Sequence, residues 1–272
     1  MKKPAYLLLF PGALFLAVFM VVPIATIILS TFANDGSVSL AGYTSFFTDS
    51  YTLGILGTTL KISLISTLIC ILLGYPTAYY ISRTSVSRRG IYLALAIFPL
   101  LTSAIVRSFS WMVTLGKTGL INTLLLQLHV IDKPLQILYT ETSIIIGMVH
   151  LFLPLMIISL IGVMENIDGD LMQAAASLGA SRFKAFVKVV LPLSIPGLLV
   201  GSTLVLVGSL TAYATPQLLG GKKRVLATLL FQNTMTLNDW KAASIIATIM
   251  IAITFLLIGV MNALAKKLNP NG

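Results

Sequence analysis

The chain is divided into apolar runs long enough to cross a bilayer, and that pattern leaves few folds open. A hydrocarbon core about 30 Å thick takes roughly 20 apolar residues in helical form. Six runs meet that length: Tyr6–Phe32, Leu56–Ser82, Ile91–Leu115, Ser143–Met164, Ile195–Thr215 and Ala243–Leu264. Hydrophobic residues make up 57% of the 272, charged residues only 10%, and mean hydropathy is +0.98, so lipid is the solvent for most of the chain. The expected fold is an all-α polytopic membrane protein with six transmembrane helices, the whole of 1–272 forming one membrane domain.

A formal net charge of +10 raises the question of nucleic acid. The cations lie mostly between apolar runs, where they act as topology signals, so no nucleic-acid partner is expected. The single cysteine, Cys70, sits inside an apolar run, which excludes an intramolecular disulfide and a thiol metal cluster. The N-terminus begins with a basic Met-Lys-Lys, yet its apolar stretch far exceeds the roughly 7–15 residues of a signal h-region. It is expected to remain as the first span.

Orientation follows from Lys and Arg in the short connections. With both termini in the cytoplasm, Lys2, Lys3, Arg83, Arg88, Arg89, Arg182, Lys184, Lys188, Lys266 and Lys267 lie inside, ten of the 18 cations. The outer loops then hold Arg107, Lys117, Lys133, Lys222, Lys223, Arg224, Lys241 and Lys61, diluted by Asp35, Asp49, Asp132, Glu141 and Asp239. The cation-free 31–55 loop and the acid-free 83–90 loop give the clearest contrast.

One polar segment interrupts the apolar pattern on the inner side. Asp170 to Pro192 reads as two short helices with a bend: Asp168 caps the first, Gly179 ends it, and Ser181 caps the second. Pro192 and Pro196 are expected to keep the second helix from running unbroken into the next span. Ala174, Ala175 and Ala176 leave the first helix thin enough for another body to approach, and the second offers Arg182, Lys184 and Lys188 beside Phe183, Phe186 and Val187. This reads as a docking element.

Nothing in the chain supplies an engine. Gly116-Lys117-Thr118 resembles the end of a phosphate-binding loop, but Trp111 stands where that loop needs glycine. His129 and His150 lack the neighbours of a catalytic triad or metal site. The chain is not expected to be an enzyme. Within the spans, Arg107 reads either as an arginine snorkelling to the interface or as part of a translocation path with Trp111 and Tyr213. His150 reads as a structural, hydrogen-bonded histidine, and Lys61 as reaching the interface. Pro76, Pro99 and Pro154 are each expected to kink a helix. Gly197, Gly201 and Gly208 form a small-residue face for close helix packing, against this chain or a partner.

The docking segment carries a recognisable pattern: Gln173-Ala174-Ala175, three residues, Gly179, nine residues, Val189, one residue, then Leu191-Pro192. It resembles the EAA loop of membrane subunits of ATP-binding-cassette (ABC) importers, with Gln173 where that family usually has Glu. Pro23 with Ser30–Phe32 and Leu73-Gly74-Tyr75-Pro76 extend the likeness. Thr118–Asn122, Val130–Asp132 and Leu218–Gly221 make the chain most similar to permeases of the spermidine/putrescine group. The resemblance implies the type I importer (MetI-like) permease fold, with 168–192 as cytoplasmic coupling helices. Gln173, Ala174, Ala175, Gly179, Ala180, Phe183, Leu191 and Pro192 would then contact a cytoplasmic ATPase dimer. It further implies ATP on those partners with no cofactor in this chain, an extracytoplasmic binding protein, a second permease more often different than identical, and residence in a bacterial inner membrane. A secondary transporter or channel driven by an ion gradient is the rival class. Such proteins place ionisable groups near the midplane, often in two inverted halves, and no acid or internal halving is evident within these spans.

Overall fold

The computed structural model describes residues 3–34 and 37–268. Lys2 and Asp35, both counted in the charge tally, lie outside the described residues. The chain divides into two compact units, Met1–Gly54 with Leu229–Ala252, and Ile55–Thr228 with Ile253–Gly272.

The first unit begins with α1 (Lys3–Leu16), a π-helical turn at Ala17–Val21 and α2 (Val22–Phe32). Pro23 is the second residue of α2, in its first turn, where its missing N–H would otherwise be needed least. A two-residue antiparallel ribbon, β1 (Ala33–Asn34) and β2 (Ser37–Val38), precedes α3 (Ala41–Thr48), whose Tyr43 hydroxyl lies 2.6 Å from Thr31 Oγ1. Asp49 then accepts from the N–H groups of Tyr51 and Thr52 at the start of α4 (Ser50–Ser82). That cap explains why α4 starts at Ser50, ahead of the expected Leu56.

The second unit adds α5 (Val86–Leu101), α6 (Ala104–Leu115), α7 (Leu120–Gln127), α8 (Glu141–Met164), α9 (Asp170–Ser177), α10 (Arg182–Ala185), α11 (Leu191–Thr211) and α12 (Ala214–Leu219). After it come α13 (Leu226–Phe231), a π turn at Gln232–Thr236 and α14 (Trp240–Leu268). Its core lies along α8, where Met148, Met156, Leu160 and Met164 are fully buried. The small-residue face of α11 packs on α8: a Cβ at Gly197 would come within 2.8 Å of the Ser159 carbonyl oxygen, and one at Gly201 within 2.8 Å of Met156 Sδ. The partner of that face is therefore in this chain. Cys70 is fully buried, its Sγ facing the Val149 carbonyl at 3.9 Å, in keeping with a packing role.

Among the described residues five helical stretches are long and apolar enough to cross a membrane, and counting the bent pair Val86–Leu101 and Ala104–Gln127 as one gives six. The kink expected at Pro99 is a full break: Thr102 and Ser103 are extended and the two sides diverge by 94°. Pro76 and Pro154 lie inside α4 and α8, which continue as helices past them. One expectation needs correction: the second helix of the polar segment does run into the following span, as Arg182–Thr211. A π turn at Phe186–Val190 makes this possible: it widens the backbone just before Pro192, which falls within the first turn of α11 and needs no donor there.

Lys61 is exposed and also paired. Its Nζ lies 2.8 Å from Glu141, at the start of α8, and Lys223 stands 3.9 Å from the same carboxylate. Glu141 and Asp239, which accepts from Ala242 N–H at the start of α14, are thus engaged within the fold.

Candidate coupling surface

The polar segment is a helical elbow fixed by local capping. Asp168 Oδ1 accepts from Asp170 N–H at 3.0 Å as α9 begins. At the far end Gly179 N–H donates to the Ala176 carbonyl and Ala180 N–H to that of Ala175, while Gly179 adopts φ +82°. This is a Schellman stop, and the left-handed position is why glycine stands there. Ser181 Oγ then accepts from Lys184 N–H at 3.3 Å and opens α10. The two caps reverse the chain within a few residues.

One side of the elbow is tied to the core. Met172 and Phe186 pack against the buried cluster of Met164, Ile167 and Val190. The Phe186 ring meets Tyr75 and Tyr79 of α4 edge-on, at centroid distances of 5.9 and 5.1 Å, and the Tyr75 hydroxyl lies 2.7 Å from Ser194 Oγ of α11. Arg83 Nη1 donates to the Ile167 carbonyl at 3.0 Å, with its guanidinium 5.7 Å from the Tyr79 ring centroid. Arg89 Nη1 lies 3.1 Å from Glu165, and Nη2 donates to the Ser82 carbonyl. Arg89 therefore joins the end of α4, the start of α5 and the end of α8.

The opposite side is bare. Leu178 is 89% and Phe183 78% exposed, and Gln173, Ala174, Gly179 and Pro192 are exposed beside them, with Ala175, Ala180 and Leu191 half-buried. Leu178 and Phe183 are thus large apolar side chains left exposed on an otherwise polar elbow. The base of the elbow is joined to α4, α8 and α11, while its tip is bare.

Sequence reasoning placed the elbow but missed its anchors, Arg83, Arg89, Glu165, Tyr75 and Tyr79. Their partners lie on other helices, so no local spacing marks them; the arginine-rich 83–90 loop was the available signal, and it was read only as topology. Replacing Arg89 with Met is expected to leave Glu165 without its partner and lower the melting temperature of the assembled protein, by a few degrees for a cost of about 1–3 kcal/mol. An unchanged melting temperature would show that the clasp contributes nothing.

Of the three residues expected along a path, Arg107 and Trp111 line one cavity of about 330 Å³ with His150, while Tyr213 stands at the break between α11 and α12. Trp111 Nε1 donates to His150 Nδ1 at 3.1 Å, so His150 is hydrogen-bonded as expected. Arg107 does not reach outward. It is 6% exposed and donates through Nη1 to the carbonyls of Pro99 and Thr102 at the third-span break.

Comparison with known proteins agrees with this architecture. The family model described as binding-protein-dependent transport system inner membrane component matches residues 70–270. The spermidine/putrescine transport system permease protein PotB of Haemophilus influenzae is 33% identical over 259 residues, covering 92% of this chain and 90% of that one. Among solved structures, the bacterial alginate ABC transporter in complex with its periplasmic protein aligns with a TM-score of 0.80 at 15% identity, over 98% of this chain and 96% of that chain. The methionine ABC transporter MetNI, in inward-facing conformations, aligns with a TM-score of 0.62 at 14% identity, over 81% and 99%. The apolar spans, the anchored elbow and the family match agree: this chain belongs to the binding-protein-dependent transport system inner membrane components and is a permease of an ABC importer.

Proposed function

We propose that this permease takes up a polyamine or a closely related amine, and that residues 168–192 are its cytoplasmic coupling loop, both termini lying on the same side. The observation that carries the coupling role is the elbow itself, held at its base by Phe186, Arg83 and Arg89 and bare at Leu178 and Phe183. A cytoplasmic ATPase pair, which holds the ATP, grips that tip. Closure of the pair carries the elbow inward and turns α8 and α11 with it. The loop must contact the open and closed ATPase states differently, since a partner that binds both equally shifts nothing. Gln173, exposed on α9, offers an amide where the family usually offers a carboxylate, so its contact with the ATPase is a hydrogen bond and not an ion pair.

An extracytoplasmic binding protein delivers the substrate on the opposite side, and a second, non-identical permease completes the pathway. Likeness to the spermidine/putrescine permease supports the amine.

Two measurements test the reading. With Leu178→Cys in the assembled transporter, a bifunctional maleimide is expected to join this chain to an ATPase carrying an engineered surface cysteine, with a yield that changes on ATP binding. Cross-linking no better than that of a cysteine at Lys222 would overturn the docking assignment. For substrate, cells expressing the complete system are expected to accumulate labelled putrescine or spermidine; uptake no higher than in cells lacking it would remove the amine assignment and leave the coupling role standing.

A further inference from the structure

Phe186 occupies the first position of the π turn, Phe186–Val190, that joins α10 to α11. In an α-helix residues five apart stand about 140° apart around the axis, so Ala185 and Val190 would face different ways. Both are fully buried, and Ser194 and Gly197 continue the buried stripe along α11. The wider i→i+5 turn therefore gives the elbow and the span one shared buried face. Phe186 is set at the edge of that face, against α4.

The elbow is joined to its three neighbouring helices in different ways. Residues 165–169 connect it to α8 and the π turn connects it to α11, so both are bound to it by the chain itself. It meets α4 only across space. Ala78 and Ile81 of α4 share the core cluster with Leu160 and Met164, but such apolar contact has no direction and sets no register along the helix axis. Tyr75 and Tyr79 do set one. They lie four residues apart on one face of α4, and the Phe186 ring meets both edge-on, at 5.9 and 5.1 Å between centroids. The Tyr75 hydroxyl, 2.7 Å from Ser194 Oγ, fixes that ring, and the Arg83 guanidinium over Tyr79 backs the other. Phe186 is a tooth between two held teeth. We propose that Phe186 is a positioning residue that locks the axial register of α4 against the elbow, so that movement of the elbow carries α4 without slip. This rests on residues 168–192 being the coupling loop.

The test is the distance between spin labels on Thr77→Cys and Lys188→Cys in the transporter assembled with its ATPase, with and without trapping by ATP and vanadate. Both sites are exposed, and each is two residues from the contact, on the far side of its helix; Cys70 is fully buried. In the wild type and in Phe186→Tyr the distance is expected to stay the same on trapping. In Phe186→Ala it is expected to shift by roughly 2 Å, the scale of helix displacements in switching proteins. Phe186→Leu keeps apolar volume but lacks ring edges; it is expected to shift likewise, which covers the case in which Phe186→Ala fails to assemble. A constant distance in the alanine or leucine variant, or a shift in the wild type, would overturn the lock. Cross-linking of Leu178→Cys to the ATPase separates the two readings. It is expected to be unchanged by Phe186→Ala; its loss in that variant alone would assign Phe186 to docking and overturn the lock, whereas its absence in the wild type would overturn the coupling loop itself.

Discussion

Cells carrying Gly179→Leu are expected to lose transport by roughly tenfold or more, the effect of about 1.4 kcal/mol or more of differential binding, with the protein still inserted at normal abundance. The reasoning turns on what surrounds this glycine. A Cβ at position 179 meets nothing within 4 Å, so no packed neighbour is displaced inside the chain. The intrinsic cost is the left-handed backbone, φ +82°, which any L side chain raises by about 1–2 kcal/mol. That strain loosens the reversal between α9 and α10, and the leucine itself projects from the bare tip beside Leu178. Three substitutions separate the two contributions. Gly179→Asn adds a side chain but tolerates the left-handed region, Gly179→Ala adds strain with little bulk, and Ala175→Arg adds bulk and charge at a half-buried helical position without any positive φ. If the tip is a docking face, Ala175→Arg and Gly179→Leu both abolish uptake and Gly179→Ala falls between them and wild type. Uptake at the wild-type level by Gly179→Leu, at equal abundance, would remove the elbow from the transport cycle.

Why the elbow was legible and the rest of the site was not comes down to the range of the interactions. Asp168, Gly179 and Ser181 act on backbone groups within three residues of themselves, so their spacing alone predicts a capped helix, a stop and a second start. The spans were legible for a similar reason, since bilayer thickness sets their length. Lys61 and Glu141 are 80 residues apart in sequence, and nothing local in either announces the 2.8 Å pair. Proline shows the limit best. Pro76, Pro99 and Pro154 carry the same local signal, yet only the helix with Pro99 breaks nearby. At the break Thr102 Oγ1 and Arg107 Nη1 both reach the Pro99 carbonyl, so that freed group is satisfied and the break is tolerated at membrane depth. Arg107 thus reads as an interfacial or path residue until the break it caps is known.

Gly197→Ala is expected to cost more than Gly201→Ala, and both to lower the melting temperature of the purified transporter. In a bilayer no hydrophobic force drives one helix against another, so close van der Waals contact and interhelical bonds hold α8 to α11. At Gly197 the added methyl would sit 2.8 Å from the Ser159 backbone carbonyl oxygen and 2.9 Å from Val163 Cγ2. A backbone atom in the middle of α8 cannot retreat without moving the helix, so a cost of about 1–3 kcal/mol follows from overpacking. At Gly201 the nearest atom is Met156 Sδ at 2.8 Å, the end of a flexible side chain that can swing away, with Met156 Cα next at 3.3 Å. Val163→Ala in the Gly197→Ala background decides which neighbour matters. It removes the methyl contact and leaves the carbonyl, so a partial recovery of the melting temperature is expected. Full recovery would assign the clash to Val163 alone. No loss in Gly197→Ala to begin with would mean that α8 and α11 do not meet as closely as the small-residue face requires.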